Sequence, residues 1–312
     1  PCPPFPAVLL ALPSPRLPTP RMSARRLPLT QRPFGLDLEL SVSGSTDLSV
    51  VRNKLRRTTG RGVELYDEQV RQTTEQWKII PDSSITCLDS MPNCNTFELV
   101  SPILRGGQGL SETHRVLEHG LSSVPGRIAV NKQAGFHVHV DVTGVSGKAL
   151  TRICQNWCKY EDAIDLFMPA SRRGDDNKFC RSNRRNSQLR SLSNREVNDR
   201  LARCKKIGAL ASLMNAAPRP RYHKLNLQNL INNRQRTIEF RHHSATYEYP
   251  KISNWVRFLN AFVEASLDNP PPNNFLDHRT PEHKMERLFE WVVIDRSLRY
   301  YYYDRAEQLR PR

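Results

Sequence analysis

The sequence predicts an α+β fold built on a largely antiparallel sheet. Three observations predict it. Short segments alternate apolar and polar residues with a period of two, the pattern of a strand with one buried face. Longer segments between them carry apolar residues at helical spacing. The two kinds also follow no strict strand–helix–strand rhythm, which a parallel sheet would need.

The first strand is 34–42, FGLDLELSV, with Leu36, Leu38, Leu40 and Val42 on one face and Asp37, Glu39 and Ser41 on the other. Residues 46–58 read as a helix closed by the glycines of TGRG. The stretch 77–85, WKIIPDSSI, is a strand broken at Pro81, and 95–104 is a strand ending before Pro102. A glycine loop, GGQG, then leads into an amphipathic helix for which Ser111 is the expected cap. The next strand, AGFHVHVDV, sets His137, His139 and Asp141 on one face against valines on the other. In 147–168, Leu150, Ile153, Trp157, Ile164 and Phe167 recur at helical spacing. The basic stretch 171–195 has few apolar residues and reads as a long loop. A helix near 196–212 precedes strands at 221–230 (RYHKLNLQNL) and 236–245 (RTIEFRHHSA). Helix 254–267, a proline-rich linker at 270–273 and two further helical pieces complete the chain, and no internal repeat is present.

Charge divides the chain. Of a net +16, residues 1–32 carry five arginines and no acid, and residues 171–206 carry twelve Lys/Arg against four acids. The excess therefore belongs to a tail and one segment, not to a whole basic face. The expected organisation is a Pro/Arg-rich leader at 1–32, a catalytic-type domain at 33–305 holding the basic loop 171–195, and a tail at 306–312. Within the leader, residues 1–21 read as a disordered or gene-model extension before Met22, with an organelle-targeting segment as the alternative. The seven cysteines show no C-x-x-C and no zinc spacing, so reduced, intracellular thiols without a disulfide framework are expected. No apolar run approaches a membrane span, and the expected location is cytoplasmic.

The polar faces carry the functional signal. Side-chain direction repeats every two residues in a strand, so Asp37 and Glu39 project together. Glu98 lies between Phe97 and Leu99, and TIEFRHH places Glu239, Arg241 and His243 on one face with Ile238, Phe240 and His242 on the other. Each pattern alone is also that of a solvated face or an internal ion pair. On one shared sheet, however, Asp37, Glu39, Glu98 and Glu239 would crowd four carboxylates around His137, His139 and Arg241. Crowded carboxylates raise one another's pKa unless cations neutralise them. Hard divalent cations held by oxygen do so, and they commonly carry phosphates too. Such a face repels bare nucleic acid. Tyr222, Lys224 and Asn226 share a direction in RYHKLNL and are expected to face a substrate, and Asp82 and Ser84 are further substrate-contacting residues.

The ordered motifs FGLDLE, FELVSP, GFHVHVD and TIEFRHH over residues 33–305 resemble the amidoligase family, carboxylate–amine ligases whose catalytic fold is similar to that of glutamine synthetase and the glutamate–cysteine ligases. The resemblance implies a curved antiparallel sheet with helices packed on one face. It implies Mg²⁺, or alternatively Mn²⁺, held by Asp37, Glu39, Glu98, His137 and Glu239. ATP would be contacted by His137, His139 and Arg241, with Arg172 and Arg181 reaching in from 171–195 as a flexible lid. Catalytic roles fall on Arg241, Glu239 and Glu39. The implied reaction forms an amide, γ-glutamyl or isopeptide, through an acyl phosphate. Asp37 stands where many relatives have Glu, one methylene longer. Small-molecule or peptide acids and amines are the implied partners. Two alternatives stay open: a basic nucleic-acid-binding protein acting through tail and loop, and a nucleotide-binding ligase fold without turnover.

Overall fold

The computed structural model describes residues 29–66, 75–231, 235–269 and 279–310. The expected extension at 1–21 and the 270–273 linker lie outside the described residues. In chain order the elements are β1 (Pro33–Ser43), α1 (Leu48–Thr59), β2 (Val63–Leu65), β3 (Trp77–Pro81), β4 (Cys94–Val100), β5 (Leu104–Arg105), α2 (Gly106–His114), β6 (Ile128–Ala129), β7 (Gly135–Asp141), α3 (Gly147–Asp165), α4 (Asn194–Ala202), α5 (Ile207–Met214), β8 (Leu225–Asn226), α6 (Gln228–Ile231), β9 (Thr237–Ser244), α7 (Tyr249–Asp268), α8 (Pro281–Trp291) and α9 (Arg296–Gln308).

The strands form one sheet in the order β2-β3-β4-β1-β7-β9-β8, with β5 and β6 added at the two ends of β1. All its pairings are antiparallel except β2 with β3. This is the mixed α+β architecture that the alternation predicts. β1 is central because its two faces are so cleanly divided. Leu36, Leu38, Leu40 and Val42 are fully buried among Phe97, Leu99, Phe136, Val138, Ile238 and Phe240. Helices α3 and α7 cover that side; Trp157 of α3 packs 5.1 Å from Phe240, and Trp255 stacks on Phe258 within α7. Each such side chain contributes about 1.5–3 kcal/mol on leaving water, so the apolar face fixes which way the polar face must point.

Local signals set the helix ends. Asp47 caps α1 by accepting from Ser49 N at 2.7 Å, and Gly60 closes it at φ 65°. Ser193 and Glu196 form a capping box that starts α4.

Several expectations fail, each for a physical reason. Ser111 is no cap: α2 starts at Gly106, and the Ser111 hydroxyl donates back to Gly107 O within the helix. The 196–212 helix is two, α4 and α5, separated at 203–206. The stretch 221–230 is a bend, a two-residue strand and a short helix, because its backbone amides pair with Asn side chains: Leu225 N with Asn183 and Leu227 N with Asn215. The segment 171–195 is no loose lid. Glu161 of α3 accepts from Ser182 Oγ and from the Asn183 amide at 2.8 Å, and Arg184 donates to the carbonyls of Leu189 and Leu192. Cys87 and Cys94 are joined as a disulfide across the β3–β4 connection, while Cys154, Cys158, Cys180 and Cys204 are free. The end of the expected leader packs onto the domain. Arg32 is paired with Glu264 of α7 at 2.7 Å and donates to Asp141 O at 2.8 Å. At the other end α9 runs through Gln308, so the tail expected from 306 is helical at its start. Among the described residues, no helix is long and apolar enough to cross a membrane.

Candidate active site

The polar face of the sheet is the floor of a cleft of about 840 Å³. Register brings the acids together. Glu39 sits opposite Glu98, Asp37 opposite His137, and His139 opposite Glu239, while Asn226 of β8 pairs with Glu239 from the far side. Five different strands therefore supply the floor, and none could supply it alone.

His137 is the centre of this arrangement. Its Nε2 lies 3.5 Å from Glu39, its Nδ1 3.6 Å from Glu239 and 3.3 Å from the Arg241 guanidinium. Burial and then the Arg241 charge push its pKa well down, so the ring is neutral. Glu239 is the opposite case. Burial opposes its charge, but the Arg241 ion pair, both histidines and Asn226 at 2.7 Å hold it far below the usual carboxylate range. His139 sits 3.0 Å from Asp37. Burial works against its charge, yet Asp37 outweighs burial and raises it to about 9, so this pair is an imidazolium–carboxylate.

Glu39 and Glu98 are left over. Glu39 accepts from Gly135 N at 2.6 Å but is still raised by burial. Glu98 is raised to about 8 by burial and then by Asp37, Glu39 and Asp82. Two carboxyls that the fold brings face to face and fails to neutralise are what a divalent cation would correct. The donor atoms suit one. Glu39, Glu98 and His137 offer ligand atoms within 4.8 Å of one another, as do Asp37, His137 and Glu239. Both sets are hard oxygen with one neutral imidazole, a set that magnesium or manganese accepts.

Most of the sequence-predicted residues meet here. Asp37, Glu98, His137, His139, Glu239, Arg241, Asp82, Ser84, Tyr222 and Asn226 all line the cleft. Glu39 and Arg172 line a smaller chamber of about 100 Å³ beside it. Arg172 is no mobile finger, however. It is 1% exposed and donates to the Gln133 and Ala134 carbonyls. Arg181 lines neither cavity; its backbone bridges to 222–224. Lys224 is misassigned. The bend at that residue breaks the alternation, and its ammonium sits fully buried behind the sheet, 2.6 Å from Asp165. His243 is also on the other face. A β-bulge between Phe136 and Val138 in the β7–β9 ladder turns it inward onto Phe136 and Trp255.

Other residues went unforeseen. Gly135 lends its amide to Glu39, and Lys78 follows from the alternation Lys78–Ile80 in β3. Arg221, which lines both cavities, carries no period that would mark it.

Comparison with known proteins places this geometry in context. The family described as "Putative amidoligase enzyme" matches residues 30–263. No curated protein matches the chain. Among solved structures, a bifunctional glutathione synthetase from Pasteurella multocida matches with a TM-score of 0.39 and 14% identity, over 84% of this chain. This chain spans 41% of that protein's length.

Proposed function

Because the chain belongs to the amidoligase family, we propose that it is an ATP-dependent carboxylate–amine ligase working at this cleft. The observation that carries the reading is the unneutralised pair Glu39 and Glu98 beside neutral His137, with Arg241 on the same wall. Amide formation from a carboxylate needs activation. A substrate carboxylate oxygen attacks the γ-phosphorus of ATP, the bridging P–O bond breaks and ADP leaves. The amine nitrogen then attacks the acyl carbon, the C–O bond to phosphate breaks, and the amine gives up a proton. The first step drives an anion onto a polyanion, so positive charge must lie along its axis.

On this proposal, Glu39, Glu98 and His137 hold one magnesium, and Asp37, His137 and Glu239 are a second donor set sharing that histidine. Bound there, the metal supplies charge neutralisation of β- and γ-oxygens. The chain's own residues do the rest. Arg241, anchored by Glu239, presents its guanidinium to phosphoryl oxygens as a forked donor. Arg172, locked on two carbonyls, adds a fixed positive charge to the small chamber. The Asp37–His139 pair keeps a protonated imidazole facing the cleft, its other nitrogen donating to the Thr237 hydroxyl at 3.2 Å. The antiparallel sheet with helices on one face supports, as part of the same proposal, a glutamine synthetase-like catalytic fold.

The test is calorimetric titration of ATP with and without Mg²⁺ into the full chain and into Glu39→Gln. The proposal expects magnesium-dependent binding that weakens by about tenfold or more in the variant. Binding that ignores both magnesium and the substitution would overturn it.

A further inference from the structure

The cleft continues well beyond the acidic floor, and its far end has a different chemistry. Arg105 ends β5, level with Pro33, and Arg236 immediately precedes β9; both line the cleft. Both are exposed, and neither side chain has a hydrogen bond or ion pair among the described residues. Asp141 lines the same cleft, its Oδ1 accepting from Thr143 N at 2.8 Å and Thr143 Oγ1 at 2.6 Å. The carboxamides of Gln228 and Asn229 line the same cleft, as does Ile103, which is 58% exposed.

The strand itself measures the separation. Pro33, level with Arg105, is six residues from Glu39 along β1, about 20 Å at ~3.3 Å per residue. A single amino acid cannot touch both ends. Even with an arginine side chain stretched inward, the gap is that of several extended residues, at about 3.3–3.6 Å each. Two unpaired guanidiniums call for carboxylates, carboxamides can serve both N–H and C=O of a peptide backbone, and the open apolar wall suits a side chain.

We infer that the acid substrate is an acidic oligopeptide of roughly three to four residues or more, one carboxylate at the Glu39–Glu98 end of the floor and another held by Arg105 and Arg236. This rests on the ligase reading, but its test is separate. Tetraglutamate and free glutamate are titrated into the full chain, into Arg105→Gln/Arg236→Gln, and into Lys205→Gln/Lys206→Gln. The last pair lies in a different basic depression, with Arg200 and Arg203, and controls for bulk charge. Tetraglutamate should bind at least about tenfold tighter than glutamate. The arginine variant should lose that advantage and keep magnesium–ATP affinity. The lysine variant should lose nothing. Equal binding of the two probes, or equal losses in both variants, would overturn the inference. So would loss of ATP affinity in the arginine variant, which would make the far end the nucleotide's. Absence of ATP binding in the unaltered chain would remove the ligase reading, while the comparison of the two probes would still decide whether this end holds peptide.

Discussion

Glu98→Gln should stabilise the protein, and by an amount that depends on pH in a defined direction. Folding raises the Glu98 pKa from an ordinary 4.5 to about 8, through burial and then the neighbouring Asp37, Glu39 and Asp82 carboxylates. A group whose pKa rises on folding leaves stability intact below its unfolded pKa and erodes it as pH climbs toward the folded value. The window is therefore pH 4.5 to about 8. At pH 7 the cost is about 2.5 pH units at ~1.4 kcal/mol each, or about 3 kcal/mol. Glutamine copies the protonated carboxyl and carries none of that cost. Urea unfolding of both proteins, at intervals from pH 4.5 to 8 and without divalent cations, should show a difference growing from about zero through about 3 kcal/mol at pH 7 to about 4 kcal/mol at pH 8. Magnesium should reverse the order, stabilising the glutamate form and leaving the glutamine form largely indifferent. A difference flat across pH would refute the reasoning, because the carboxyl would then not be desolvated. A pH-dependent difference that magnesium does not touch would keep the electrostatics and remove the metal.

Three other outcomes follow from particular contacts. Lys224→Met strands Asp165, which Lys224 and His242 both touch at 2.6 Å, and should cost about 3–5 kcal/mol in unfolding experiments; at permissive temperature the folded variant should bind magnesium–ATP as the unaltered chain does, since Lys224 lies behind the sheet. Replacing Cys87 and Cys94 by serine opens a loop of seven-residue separation and should lower stability by about 2–3 kcal/mol on chain entropy, read by urea unfolding with and without reductant. Arg32→Ala removes the Glu264 pair and the bond to Asp141 O, and should cost about 1–2 kcal/mol by the same measurement; no loss would mean these contacts contribute nothing net to stability.

How much was legible in the sequence depends on how far each residue's environment is set by its own neighbours. β1 could be read almost completely, because its burial alternates from Pro33 to Leu40 and breaks only at Ser41, which is buried where the alternation points it outward. The same holds for His137 and His139, whose companions Phe136, Val138 and Val140 are fully buried. For Glu98 and Glu239 a period of two was again enough to name the face. What no single strand could reveal was register. That Glu39 meets Glu98 rather than Thr96 is decided by how β1 and β4 are paired across an intervening fifty residues, and the charge problem that makes the site interesting exists only because of that choice.

Where the structure departs from expectation, it does so at local geometry. Lys224 and His243 were placed by extending a period of two through a place where the backbone departs from it, and 171–195 was read as a lid from its basic composition. A bend reverses Lys224, a bulge reverses His243, and side chains rather than strand partners organise 171–195. Buried Glu161 is the clearest instance. Its carboxylate collects Ser182 Oγ and the Asn183 and Arg184 amides, so a run of basic, polar residues that looks solvated becomes a fixed wall of the cleft. Composition cannot show this, since the same residues in water would have the same letters. On the proposed reading the consequence is physical: a guanidinium on a lid would lose entropy on closing, whereas Arg172, already bonded to two carbonyls, would lose almost none on meeting a phosphoryl group. The fold has met that cost in advance, which is the condition for preorganised charge to act on a transition state.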